Sequence, residues 1–197
     1  FHDGHPLTSE DVKFSFDTLF EPTYRSSAQR PYFEGIDRVE IVDPLTVKIY
    51  AKDTYFMNFQ VVASMMYILP KHIYSDLEKS QKMLKQAVGS GPYILDKYEK
   101  GQKISLKRNE KWIGAQQSAL KSYFNFDQVN YKIVPEENRA LDMLKMGELD
   151  YFEFQQPETY MLKTNGEPWG QTLIKNQVEN SVPRGYFFVG FNLRKPL

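Results

Sequence analysis

Cysteine does not occur anywhere in the 197 residues. Its absence excludes a disulfide framework, a thiolate metal site and a cysteine nucleophile. Net charge is lacking as well: 25 Lys and Arg balance 25 Asp and Glu, so nothing in the overall balance points to a nucleic-acid backbone or an anionic membrane as partner. No apolar run approaches the roughly 18 residues of a membrane span. The start, Phe1-His2-Asp3-Gly4, has neither the basic region nor the apolar stretch of a secretion signal. It also lacks an initiator Met, and the end, Lys195-Pro196-Leu197, falls just after a strand-like run. Both ends therefore read as cut from something longer, and the chain is expected to be an internal piece.

Histidine is scarce. His2, Asp3 and His5 look at first like a metal cluster, but no further ligand follows at standard spacing, so no metal site is expected. His72 follows Pro70-Lys71 at a helix start, where a capping or surface role is commoner than catalysis. No Ser-His-Asp ordering with a nucleophile elbow is visible. Gly89-Ser90-Gly91-Pro92 lacks the Gly-Lys-Ser/Thr of a P-loop. No catalytic residue and no cofactor are expected.

What the chain has in quantity is aromatic side chains, 13 Tyr and 14 Phe among them. Such residues build apolar pockets with polar rims, and they equally build ordinary cores. At this length a core is affordable, since roughly 70% of the unfolded surface can be buried. The expected class is α/β, a mixture of helices with antiparallel hairpins and a parallel pair.

Thr8 with Asp11 makes a capping box with Asp in the Glu/Gln place, and Val12, Phe16, Leu19 and Phe20 follow at helical spacing, so a helix is predicted over 9–20. Val39 and Ile41, then Val47 and Ile49, alternate with polar residues around Asp43-Pro44, which predicts a hairpin. Residues 56–69 predict a buried helix ended by Pro70. Residues 72–87 predict another, with Ile73, Leu77, Leu84 and Ala87 on its apolar face. Gly89-Ser90-Gly91-Pro92 is the densest group of helix and strand breakers, and the periodicity changes across it. A lobe boundary is expected there, dividing the chain into 1–88 and 89–197.

Residues 93–98 and 103–107 alternate around Lys100-Gly101-Gln102, predicting a second hairpin, and 126–134 predict a strand. A helix is expected over 136–146, with Ala140, Leu141, Leu144 and Met146 apolar and Gly147 at its C-terminal cap. Residues 149–154 read as the next strand, completing a βαβ unit with a parallel pair. Residues 186–193 are apolar at nearly every position and predict a strand buried on both faces. Glu136, Glu137, Glu148 and Asp150 could be hydrolase carboxylates, yet each also fits a helix first turn or a strand edge. In Phe152-Glu153-Phe154-Gln155-Gln156-Pro157, amides and aromatics mix just after a strand end, the place where ligands bind in open α/β sheets.

Four motifs carry a family resemblance. The run from Phe1-His2-Asp3-Gly4 through Leu7-Thr8-Ser9-Glu10-Asp11-Val12 resembles the signature of the family 5 extracellular solute-binding proteins. Gly89-Ser90-Gly91-Pro92-Tyr93 with Arg108-Asn109 and Trp112 is similar to that family's Gly-Thr-Gly-Pro-Tyr hairpin and its continuation, although Glu110 replaces a usual proline and Lys111 a usual tyrosine. Gly147-Glu148-Leu149-Asp150 resembles the family's Gly-Glu-Leu/Ile-Asp, and Phe191-Asn192 through Pro196 its strand end.

The resemblance implies a periplasmic-binding-protein type II-like fold, present in part, with 1–88 in an extra lobe and 89–197 in the first main lobe. It implies capture of a small peptide or similar solute between closing lobes and delivery to an ABC permease in the inner membrane. The location implied is the periplasm, or the outer surface of a Gram-positive cell through a lipid anchor. It implies a monomer when full length, with no nucleic-acid partner. Nickel chelates, heme or sugars are the alternative cargo, and a hydrolase the alternative class. By position, the resemblance assigns ligand contact to Glu153, Phe154, Gln155 and Gln156, and to Phe188, whose strand face Tyr186 shares.

Overall fold

The computed structural model describes residues 1–24, 26–83, 86–120 and 122–177. They form two compact units, 1–133 and 134–197, and each is treated by itself. This division by packing falls at a different place from the lobe boundary expected at Gly89.

The first unit opens with α1 (Ser9–Phe20), the predicted helix with its predicted cap. The Asp11 carboxylate accepts from the Thr8 N–H at 2.9 Å and the Thr8 hydroxyl at 3.2 Å. Asp11 is buried, and its other oxygen accepts from the Lys71 N–H at 2.9 Å. One turn on, the Ser15 hydroxyl donates to the Asp11 carbonyl at 2.6 Å and accepts from the Leu69 N–H at 2.7 Å. Two buried polar side chains on one face of α1 thus hold the chain on either side of the fully buried Pro70. Their cost of burial is offset because their polar atoms find partners.

The opposite face is apolar. After α2 (Arg30–Phe33) come β1 (Ile36–Asp43) and β2 (Thr46–Ala51), paired antiparallel with Val39 opposite Ile49 and Ile41 opposite Val47, as the alternation predicts. Phe16, Leu19, Phe33, Ile36, Val39 and Val61 form the core of this region, with Val12, Val47, Met57, Val62 and Met66 packed on it. Burial of Phe33 alone contributes about 2–3 kcal/mol.

The two helices expected next are each corrected. Residues 56–69 form only α3 (Met57–Gln60) and a wide π-type turn, Val61–Met65, before the chain becomes extended at Met66. Phe56 and Phe59 are exposed and Val61 is the one buried residue of these two elements, so no apolar face is covered along enough length to sustain a helix. Residues 72–87 split into α4 (Lys71–Tyr74) and α5 (Leu77–Lys82). Asp76 causes the break: its carboxylate accepts from the Glu78 and Lys79 N–H groups, starting a new helix where the old one would continue. Leu84 lies outside the described residues.

The second hairpin forms as predicted, β3 (Tyr93–Glu99) against β4 (Lys103–Arg108), with Gly101 at φ +72° in the turn. β5 (Gln128–Lys132) adds antiparallel to β4. The Gly91 carbonyl joins three stretches: it contacts His2 Nε2 at 3.0 Å and accepts from Asn109 Nδ2 at 3.2 Å, while the Asn109 N–H bonds Pro92 O at 2.7 Å.

In the second unit α6 (Glu137–Lys145) ends as the sequence requires. Gly147 takes φ +75°, and the N–H groups of Gly147 and Glu148 bond the carbonyls of Leu144 and Met143. Ala140, Leu141 and Leu144 are buried, whereas Met146 is exposed. The βαβ expectation is corrected: residues 149–154 are not a strand, and the strands that pair among the described residues do so antiparallel. An extended segment becomes a strand only when a neighbour completes its ladder, and none of the described strands does so here. The predicted strand 186–193 lies outside the described residues. α7 (Pro157–Leu162) follows, with Pro157 in its first turn.

Asp11→Ala is expected to free the Lys71 and Thr8 amides and to destabilise the first unit by about 3 kcal/mol. Hydrogen exchange at the Lys71 amide checks this and should quicken by roughly two orders of magnitude.

Candidate ligand-binding site

The turn singled out by sequence, 153–156, lies on the surface of the second unit between α6 and α7. The side chains of Glu153, Gln155 and Gln156 are exposed. The Gln155 N–H donates to Glu137 Oε2 at 3.2 Å, fastening the turn to the start of α6. Gln156 precedes α7 in extended conformation, and its carbonyl accepts from the Tyr160 N–H. A groove of about 350 Å³ runs beside it, lined by Glu136, Glu137, Asn138, Glu158 and Lys163 among others. Lys163 Nζ donates to Asn138 Oδ1 at 2.5 Å, tying the end of α7 to α6 at the surface beside the groove.

Phe154 turns inward. Its ring meets Phe152 at 5.0 Å and Tyr160 at 5.6 Å, both edge-on, and Trp169 at 6.4 Å. Lys175 places its ammonium 4.3 Å above the Tyr160 ring. Phe154 therefore positions the turn by packing, and the polar neighbours face solvent. Tyr186 and Phe188, the remaining expected contacts, lie outside the described residues. Sequence reasoning weighed Glu137 as a hydrolase carboxylate or a first-turn acid of a helix and overlooked Trp169. The bond from Glu137 to the Gln155 amide has no periodicity to betray it.

A larger hollow of about 990 Å³ occupies the first unit, with Tyr24, Tyr67 and Tyr74 among its lining residues. Four of its wall hydroxyls are committed to backbone carbonyls, Thr18 to Ser15, Ser26 to Thr18 and Leu19, Tyr24 to Tyr74, and Ser80 to Leu77, and Thr23 bonds the Glu21 carboxylate. Gln29, Tyr67, Tyr74 and Gln81 also line it and carry donors of their own, so the hollow combines apolar wall with groups able to orient a ligand.

The histidine-rich start is gathered but not into a metal centre: among the described residues no group of three or more potential ligands is placed to hold an ion. His72 Nε2 lies 2.7 Å from Asp3 Oδ2, and the His5 and His72 rings stack at 3.9 Å. His2 accepts from the Gly89 N–H through Nδ1 at 3.2 Å. Burial pushes the Asp3 carboxyl up, but the His72 imidazole and the His5 N–H outweigh it and hold the group below its ordinary value.

The family model for the middle region of the bacterial extracellular solute-binding proteins, family 5, matches residues 1–197. The chain belongs to this family. The oligopeptide-binding protein AppA of Bacillus subtilis is 31% identical over 159 residues, 77% of this chain and 27% of AppA. Among solved structures, the periplasmic oligopeptide-binding protein of Thermotoga maritima superposes with a TM-score of 0.65 at 30% identity, over 82% of this chain and 30% of that one. It has also been solved with mannohexaose bound. NikZ of Campylobacter jejuni, solved with Ni(L-His), gives a TM-score of 0.64 at 27% identity, over 76% of this chain and 28% of NikZ. The fold is thus a portion of the type II periplasmic-binding-protein fold, and the chain spans about a third or less of the length of its curated relatives.

Because Asp3 is held below the ordinary carboxylate value of about 3.9, its stabilising contribution is present above that value and fades as pH falls through the depressed one. Asp3→Asn should lower the thermal midpoint at pH 6 and make progressively less difference below pH 4, as read by calorimetry across that range.

Proposed function

We propose that this chain is part of a solute-binding subunit that captures peptides outside the cytoplasmic membrane, in the periplasm or tethered to the outer face, and passes them to an ABC permease. Residues 1–88 belong to the extra lobe and 89–197 to the first main lobe, with the opposing jaw supplied by other parts of the protein. Family membership along the full 197 residues supports the reading, as does likeness to proteins named for oligopeptide binding.

The observation that carries it is the exposed 153–156 turn. Amide-bearing side chains stand beside a polar groove while an aromatic cluster holds the turn rigid. Glu153, Phe154, Gln155 and Gln156, with Tyr186 and Phe188, are the proposed contacts. Such a wall recognises a peptide mainly through its backbone and leaves side chains loosely specified. Closure of the second jaw adds the remaining contacts, so affinity depends on hinge populations as well as on this surface. The protein binds and releases without covalent chemistry, acts as a monomer and uses no cofactor.

Titration calorimetry of the full-length protein with an alanine tripeptide should give a Kd of about 1 μM or tighter, near −8.2 kcal/mol, with the peptide recovered uncleaved. Residues 1–197 alone should bind it at least about 100-fold more weakly, since one jaw cannot bury the ligand. Binding of mannohexaose or nickel-histidine in place of the tripeptide would redirect the cargo assignment. Cleavage of the peptide would overturn the binding-only reading.

A further inference from the structure

The chain has three histidines, and all of them lie where its opening segment meets later residues. His2 makes three bonds to one short turn. Its N–H donates to the Gly89 carbonyl at 2.7 Å, its Nδ1 accepts from the Gly89 N–H at 3.2 Å, and its Nε2 stands 3.0 Å from the Gly91 carbonyl. These partners fix the protonation of the ring. A nitrogen that accepts from an N–H must carry its lone pair, and one that bonds a carbonyl must carry a proton. His2 is therefore held as the neutral imidazole with its proton on Nε2.

A second proton on His2 has no acceptor. Added at Nδ1, it replaces the lone pair by an N–H that faces the Gly89 N–H, donor against donor, and the bond is lost. Gly89-Ser90-Gly91-Pro92, and Asn109, which shares the Gly91 carbonyl, carry no ionisable side chain to compensate. Further along the opening segment Asp3 pairs with His72 of α4 at 2.7 Å, the His5 ring stacks on that of His72 at 3.9 Å, and the Phe1 nitrogen donates to the His5 carbonyl. Around them Lys79 of α5 donates to the His72 carbonyl, and Lys71 of α4 pairs with Glu10 of α1. On His72 a further proton would sit at Nδ1, which is buried with no partner, and beside the stacked His5 ring, so these two rings resist a charge on each.

We propose that His2 is an acid-sensitive clasp: neutral, it ties the opening segment to the 89–91 turn, and protonated it lets go. Imidazoles change charge between about pH 5 and about pH 8, so the clasp is closed above that range and opens as pH falls through it. Everything from α1 to α5, the first hairpin included, hangs between the two ends that it joins. On the lobe division proposed above, those ends are where the chain enters and leaves the extra lobe, so acid loosens the attachment of that lobe. This consequence rests on that reading, and the clasp does not.

The test is hydrogen exchange of the full-length protein, read at the His2 and Gly89 amides as protection relative to the unstructured chain at each pH. From about pH 7.5 to about pH 5 protection at both should fall about tenfold or more, while that of the amides paired between β1 and β2 stays within about twofold. Nitrogen-15 spectra of histidine-labelled protein at about pH 7.5 should show the His2 proton on Nε2. His2→Gln keeps a donor and an acceptor on a side chain that does not titrate and should flatten the response at Gly89, whereas His72→Gln should leave it in place. A proton on His2 Nδ1 at about pH 7.5 would sink the clasp, and so would Gly89 protection that varies less than about twofold over the range, or a pH response in His2→Gln equal to that of the wild type. Loss of the response in His72→Gln would move it to the Asp3–His72 pair and overturn the assignment to His2.

Discussion

The buried carboxylate of Asp11 is the constraint on which the first unit hangs. Three donors converge on it, two from Thr8 at the start of α1 and one from Lys71, sixty residues along the chain. A charge taken out of water is costly unless it is hydrogen-bonded, and here local capping occupies one oxygen and distant tethering the other. Ser15 repeats the device one turn later with Leu69. Pro70 can be fully buried because both of its flanks are held by side chains of α1, and the apolar face of the same helix remains free to cover β1. The run Leu7-Thr8-Ser9-Glu10-Asp11-Val12 is in this sense a folding instruction before it is a family mark.

Elements whose cause is local were legible from residue order alone. The capping box, the Asp43-Pro44 and Gly101 turns and the glycine after α6 all act through their immediate neighbours, and each appears where the pattern places it. The failures share the opposite character. Residues 56–69 are apolar enough for a helix, but their length is decided by what covers them, and Phe56 and Phe59 stay uncovered. Residues 149–154 have strand composition and, among the described residues, no ladder to join. At the site, the turn itself was legible as a polar and aromatic mixture beside Pro157, while Glu137 was not, because its bond to the Gln155 amide crosses eighteen residues without periodic trace.

The balance of charge and the wealth of aromatics acquire a common meaning in a solute-binding fold. A carrier that accepts varied cargo gains little from a strong field of one sign, which would select by net charge. Rigid rings fix a backbone-reading surface at small entropic cost, since they have few rotatable bonds to freeze. Phe152, Phe154, Tyr160 and Trp169 pack ring against ring beside the 153–156 turn, where the side chains of Gln155 and Gln156 are exposed.

The carbonyl of Gly91 receives Asn109 and meets the ring of His2, so it gathers groups separated by more than a hundred positions. A nascent chain emerging from the ribosome at roughly 5–20 residues per second must wait several seconds between exposing the first of these groups and the last. His2 gains its anchors at Gly89 and Gly91 only after the residues of α1, β1 and β2 have been made, so those elements can close on one another first.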